Sequence, residues 1–229
     1  MKILVNLFHP HLDSSRVNRA WAQRLAAQPD ITVRDIHALY PDGRIDVVAE
    51  QKALLAHDRL VFQHPFYWYS VPPLMKQWLD DVLVYGWAYG PGGDALAGKE
   101  WVSAISTGGP ADSYQAGGYN GFSMSEFLKP LQQTAHLLKT RFLPAYVFHG
   151  AVSASEVQEV LASHTGESLV RLDVDRHRPA QADRGPWPGT FRAPGDSPSR
   201  PGTSHACGDR ISAPDGVDRP HREGFVPAG

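Results

Sequence analysis

Cysteine is nearly missing from this chain: Cys207 is the only one among 229 residues. No internal disulfide can form, so a reducing compartment is the expected setting. A dominant sign of charge is missing too. Lysine plus arginine number 22 and aspartate plus glutamate 24, for a formal net charge of -2. With no basic run to track a phosphate backbone, a nucleic-acid partner is not expected. No apolar stretch approaches membrane-spanning length, and Met1-Lys2-Ile3-Leu4-Val5 reaches His9-Pro10 too soon for a signal peptide. The expectation is a cytoplasmic protein without membrane insertion, at most peripheral to the inner face of the cell membrane.

Four residue types then disappear partway along the chain. After Leu172 there is no Leu, Lys, Met or Tyr, while Pro and Gly fill 17 of the 57 positions from Asp173 to Gly229. Such a segment cannot bury enough apolar surface to offset the entropy of ordering, so residues 173–229 should be a disordered Pro/Gly/Arg-rich tail. It is either a natural extension or a frame-shifted read-through of a GC-rich gene, whose vocabulary is this mixture of Arg, Pro, Gly and Ala. Residues 1–172 are long enough for a single core.

That first part alternates apolar strands with amphipathic helices. Strands are expected at Lys2 to Phe8, Thr32 to Ile36, Arg59 to Gln63, Trp101 to Ser106 and Leu143 to Phe148. Between them helices are expected over 15–27, 47–56, 73–84 and 125–138, the first carrying Val17, Ala20, Trp21 and Leu25 at helical spacing. A last helix is expected from Ser153, where Ser153-Ala154-Ser155-Glu156 has capping-box spacing. Five strand-helix units imply an α/β fold: a parallel sheet covered on both faces, with a ligand site at the carboxyl ends of its strands.

Three segments with chemical character fall at those ends. After the first strand, His9-Pro10-His11-Leu12-Asp13-Ser14-Ser15-Arg16-Val17-Asn18 opens a helix with hydroxyl, amide and cationic groups, a setting for a phosphate or, more plainly, for a serine cap. After the third strand comes Pro65-Phe66-Tyr67-Trp68-Tyr69-Ser70-Val71-Pro72-Pro73, four aromatic rings on a proline-stiffened loop. It suits a flat conjugated ligand or a subunit interface. After the fourth, Ser106-Thr107-Gly108-Gly109-Pro110 lets the backbone approach a ligand and offer N–H donors. Histidines 9, 11, 57, 64, 136, 149 and 164 form no close ligand pair except His9 with His11, so no metal site is expected.

Taken together, His9-Pro10 with Ser15 and Asn18, Gln63-His64-Pro65 with the run from Trp68 to Asp80, and Thr107-Gly108-Gly109 resemble the flavodoxin-like NAD(P)H:quinone oxidoreductase family. Tyr40-Pro41-Asp42 and Gly86-Trp87-Ala88-Tyr89-Gly90 are most similar to the branch of ancillary flavoproteins of glutathione-gated potassium efflux systems. The resemblance runs from Met1 to about Leu172. It implies a doubly wound, five-stranded parallel sheet in the order 2-1-3-4-5 within three αβα layers. It also implies an FMN cofactor rather than FAD, NADH or NADPH as electron donor, and two-electron ping-pong hydride transfer to a quinone.

In that family pattern His9, Ser15, Arg16, Val17 and Asn18 match the FMN phosphate and ribityl contacts. Pro65, Phe66, Tyr67, Trp68 and Tyr69 match the loop along the isoalloxazine, and Ser106, Thr107, Gly108 and Gly109 match the segment facing its carbonyl edge. Tyr114 or water is the candidate proton donor, because the histidine that vertebrate relatives use further along is replaced by Asn120. A homodimer is implied, with Trp87, Tyr89 and Tyr119 in loops 86–100 and 107–123 lacking another reason to be aromatic. Two other roles compete: a regulatory ancillary subunit of a potassium efflux transporter, and a one-electron flavodoxin carrier. The carrier is disfavoured, since His9 to Asn18 is no hydroxyl-rich Thr/Ser-Gly loop.

Overall fold

The computed structural model describes residues 1–154, and the helix expected from Ser153 and the tail 173–229 lie essentially outside them. Strands β1 (Ile3–Leu7), β2 (Ile31–Asp35), β3 (Arg59–Pro65) and β4 (Glu100–Ser106) pair in parallel in the order 2-1-3-4. The fifth position is shared by β5 (Arg141–Phe142) and β6 (Tyr146–Phe148), both parallel to β4. The flavodoxin-like order 2-1-3-4-5 therefore stands, with one amendment: the expected last strand is two short ones. Between them lies Pro144, which has no N–H to give the ladder and a fixed φ.

Helices α1 (Arg16–Ala26), α2 (Ile36–Leu39), α3 (Val47–Leu55), α4 (Pro73–Val82), α5 (Met124–Phe127) and α6 (Lys129–Leu137) connect the strands. Proline breaks a second expected element. The helix foreseen over 125–138 is interrupted at Leu128, because Pro130 supplies no N–H where a continuous helix needs one, and Pro130 instead opens α6. The one-turn α2, not foreseen, follows β2 directly because the Asp35 carboxylate accepts from the N–H groups of His37 and Ala38, both at 3.1 Å.

Alternate residues of the sheet feed opposite faces. Leu4, Leu60, Phe62 and Trp101 join Met75 and Trp78 of α4 on one side, where the Phe62 and Trp101 rings stack with centroids 4.0 Å apart. Ile3, Val5, Val61 and Val102 join Leu25 of α1 on the other. Charge is buried here only where it is paired. Glu50 in α3, fully buried, accepts from Arg34, from the Tyr40 hydroxyl at 2.5 Å and from Trp78 Nε1 at 3.0 Å. Burial, aided by Glu50, pushes the Tyr40 hydroxyl up to about 12. At the amino-terminal rim Arg59, equally buried, meets Glu100 at 2.5 Å, and Arg141 pairs with the same carboxylate. These charges knit the amino-terminal end of the sheet, opposite the carboxyl-end loops.

Candidate functional site

All the parallel strands point their carboxyl ends the same way, and the chain reverses its winding between β1 and β3. The crevice at such a switch point is where open α/β sheets bind ligands. Two adjoining clefts lie there. The larger, about 470 Å³, is lined by the tips after β1, β3, β4 and β6. The smaller, about 330 Å³, shares Phe66 and Gly108 with it and continues along the aromatic loop. Both volumes are in the range of small-molecule sites.

The larger cleft begins at the N-terminus of α1. Ser15 caps that helix by accepting from Asn18 N–H at 3.3 Å. The plain reading of Ser15 as a cap is thus realised, but it does not exhaust the site. The Asn18 side chain, itself buried, donates to Ser106 Oγ at 2.8 Å and to Ser15 Oγ at 3.3 Å. Gln63 Nε2 in turn donates to the Asn18 carbonyl at 2.9 Å and to its side-chain oxygen at 3.3 Å. One amide thereby ties together the tips after β1, β3 and β4. Arg16 reaches over the cleft mouth, its Nη2 donating to the Val152 carbonyl at 3.4 Å.

Of the expected site residues, His9, Ser15, Arg16, Val17, Asn18, Pro65, Phe66, Tyr67, Ser106, Thr107 and Gly108 line this cleft together. The lining contains one guanidinium, one imidazole and several hydroxyls, and no carboxylate. With the helix N-terminus behind them, that donor set matches a phosphate monoester. Burial, then the nearby His11, holds His9 below its ordinary value, so its ring is chiefly neutral near neutral pH. His9 Nδ1 accepts from His11 N–H at 3.2 Å. Among the described residues no group of three or more His, Cys, Asp or Glu is placed to hold a metal ion.

Trp68, Tyr69, Gly109 and Tyr114 line the smaller cleft with Phe66, so every expected site residue falls on one of the two. The aromatic loop is folded back as a two-residue hairpin turn. Ser70 N–H donates to the Tyr67 carbonyl at 2.9 Å, and Trp68 and Tyr69 at its tip have φ of +48° and +60°. Both central positions of such a turn demand the left-handed region, which glycine and asparagine fill and which costs an L-aromatic about 1–2 kcal/mol. The Trp68 ring is nevertheless 94% exposed. A strained backbone holding a bulky ring in solvent is a hallmark of a binding surface.

Across from the hairpin, Thr107 N–H is committed to the Phe148 carbonyl at 2.8 Å, whereas Gly108 and Gly109 donate to nothing among the described residues. Among the described residues, the free backbone donors of this segment are thus the two glycines. The Thr107 hydroxyl has one proton, and it goes to the Gly109 carbonyl at 2.9 Å. Its contact with His149 Nδ1 at 3.1 Å must therefore be accepted, which puts the imidazole proton on Nδ1 and leaves Nε2 bare. Burial keeps His149 below its ordinary value, and its ring lies 5.3 Å from that of Tyr114.

Sequence reasoning missed Ser14, Ala151 and Val152 in the larger cleft, Ser113 in the smaller, and His149 beside them. The signal for the 149–152 segment was its place after the last strand, at the same rim as the others. Trp87 and Tyr89 answer differently from the expectation that loop aromatics lack another reason: both are half-buried against the chain's own core. Tyr119, 92% exposed, lines the smaller cleft.

The chain is similar to known proteins. The profile of the Flavodoxin_2 family, described as a flavodoxin-like fold, matches residues 1–172. An uncharacterized NAD(P)H oxidoreductase, YdeQ of Bacillus subtilis, is 53% identical over 71% of this chain and 82% of its own length. The glutathione-regulated potassium-efflux system ancillary protein KefG of Yersinia enterocolitica is 43% identical over 71% of this chain and 88% of its own. Among solved structures, general stress protein 14 of Treponema denticola, in complex with FMN, has 44% identity and a TM-score of 0.67 over 71% of this chain and 93% of that one. An NADPH-quinone reductase of P. pentosaceus has 30% identity and a TM-score of 0.65 over 71% of this chain and 95% of that one.

Proposed function

The chain belongs to the flavodoxin-like Flavodoxin_2 family, and from that premise we propose that it is an FMN-dependent NAD(P)H:quinone oxidoreductase. The observation that carries this reading is the pair of adjoining clefts at the switch point, one lined by an arginine, a histidine and several hydroxyls without a carboxylate, the other walled by aromatic rings. FMN presents the same two ends, a phosphate monoester and a flat conjugated ring system. The names of the oxidoreductase relative, the FMN-bound neighbour and the quinone reductase neighbour support it.

Each group of residues then has a task. Ser14, Ser15 and Arg16 hold the phosphate, with the α1 N–H groups behind them and His9 beside it. Asn18 keeps the three loop tips in register. Phe66, Trp68 and Tyr69 would flank the ring system and exclude water from one side, and the Gly108 and Gly109 N–H groups would serve its carbonyl edge, stabilising negative charge there. FMN held there would supply two-electron hydride chemistry between NADH or NADPH and a quinone, the two sharing one place in a ping-pong sequence. The Tyr114 hydroxyl, which makes no hydrogen bond among the described residues, would donate one to the quinone oxygen.

Adding FMN to the purified chain should give a yellow protein that bleaches on anaerobic addition of NADH or NADPH and recolours with a quinone. A protein that stays colourless, or a yellow one that keeps its colour with both nucleotides, overturns the reading. Asn18→Leu removes the amide joining the three tips and should weaken FMN about tenfold, the worth of one good hydrogen bond. Trp68→Gly should act in opposite directions on two readouts. Relief of the left-handed tryptophan raises stability by about 1 kcal/mol in urea titrations, while loss of the ring lowers FMN affinity several-fold. If FMN affinity is unchanged, Trp68 does not flank the ring.

A second reading rests on the KefG relative: the protein would serve as an ancillary subunit of a potassium efflux transporter, with redox activity secondary, and would act as a homodimer. The exposed Trp68 and Tyr119 offer apolar contact surface for it. Co-purification with a transporter, and a dimeric mass by light scattering, are its expected results. No helix among the described residues is long and apolar enough to cross a membrane.

A further inference from the structure

Gly108 and Gly109, which offer the free N–H groups after β4, are the residue type that loses most conformational freedom on ordering. Donors on such a backbone are aimed only if something else holds it. Three backbone bonds lace it to the segment after β6: Thr107 N–H to the Phe148 carbonyl at 2.8 Å, Ala151 N–H to the Thr107 carbonyl at 2.8 Å, and Gly150 N–H to the Gly109 carbonyl at 2.9 Å. Side chains add a fourth tie. His149 Nδ1–H donates to Thr107 Oγ1 at 3.1 Å, and the hydroxyl passes its own proton to the Gly109 carbonyl at 2.9 Å. Thr107 is itself buried. The direction of this relay hangs on one proton: were it on Nε2, Nδ1 would draw the Thr107 proton to itself and Gly109 would lose it.

We propose that His149 is a positioning residue: by fixing the Thr107 hydroxyl it clamps Gly109, and so readies the Gly108 and Gly109 N–H groups for the carbonyl edge of a flavin. His149 lines neither cleft, so it acts only through Thr107; that the ligand at this edge is a flavin rests on the proposed function. Negative charge gathers at the edge when the flavin is reduced. Donors already held in place favour the reduced form over the oxidised one and raise the two-electron potential. A loose glycine pair would have to be ordered first, and that cost would cut the preference. The same imidazole lies against the Tyr114 ring at 5.3 Å, so the ring's bulk has to be separated from its donor.

Four variants of the full chain make that separation. His149→Asn puts an amide N–H where Nδ1–H stood and His149→Leu does not, while both lose the ring that meets Tyr114. Thr107→Ser keeps the hydroxyl and Thr107→Val removes it. In the Leu and Val variants reduced FMN should lose about tenfold in affinity relative to oxidised FMN, a fall of about 30 mV in the two-electron midpoint potential. The Asn and Ser variants should stay with the parent. Without flavin, ¹⁵N NMR should find the His149 proton on Nδ1, and the Gly150 amide should exchange faster with solvent in the Leu and Val variants than in the parent. A parental potential in the Leu or Val variant, an Asn variant as low as the Leu one, or a proton on Nε2 would each overturn the assignment. A chain whose Gly150 amide responds as expected but which refuses FMN would sink the proposed function and leave the clamp standing.

Discussion

Glu50→Ala should destabilise the protein by about 3–5 kcal/mol, the range for breaking a buried charged network by removing one partner. Glu50 is fully buried and is the shared acceptor for three groups from three elements: Arg34 of β2, Tyr40 after α2, and Trp78 of α4. Alanine strands a guanidinium that is itself mostly buried, an indole N–H inside the core and a hydroxyl, and opens a void beside them. Glu50→Gln should cost less, since its oxygen still accepts from Trp78 or Tyr40, but its amide N–H₂ faces Arg34. Urea titrations of the three proteins, with unchanged slope, give the comparison. The effect should reach the ligand side, because Trp78 packs edge-on against Phe8 at 5.8 Å, and Phe8 adjoins His9 of the larger cleft. A loss below about 1 kcal/mol for Glu50→Ala would mean the charge is not an organising element of this core.

How much of this was legible beforehand differs by level. The alternation of apolar strands with helices carried the sheet and its ligand-bearing rim, because periodicity reports burial directly. Pro144 and Pro130 misled in the same manner: the apolar pattern of 143–148 and 125–138 runs straight through them, while the missing N–H cuts the backbone ladder. The clefts were legible as residue types at strand ends. The Asn18 knot was legible only in its Ser15 cap; Gln63 and Ser106 lie 45 and 88 positions away, and only the parallel sheet sets them beside Asn18. His149 was hidden for the same reason. A lone histidine carries no sign of its neighbours, and its tautomer is dictated by Thr107, more than forty positions away.

His64 makes the stability depend on pH in a window that its burial defines. In the unfolded chain its ring titrates near 6.5, and in the folded protein desolvation lowers that to about 4. Between those values the unfolded chain binds the proton and the folded one does not, so unfolding gains as the solution is acidified. The contribution is therefore intact above about pH 6.5, is lost progressively down to about pH 4, and is constant below. With 1.36 kcal/mol for each unit, the total loss is about 3 kcal/mol. Carboxylates elsewhere add their own acid dependence, so the informative quantity is a difference. His64→Phe keeps an aromatic ring in the apolar site and removes the titration. It should unfold with a pH profile that is flatter than the parent's between 6.5 and 4 and parallel to it outside that window. Urea midpoints at half-unit steps through the window measure this. Parallel profiles throughout would show that the imidazole reaches solvent in the folded state.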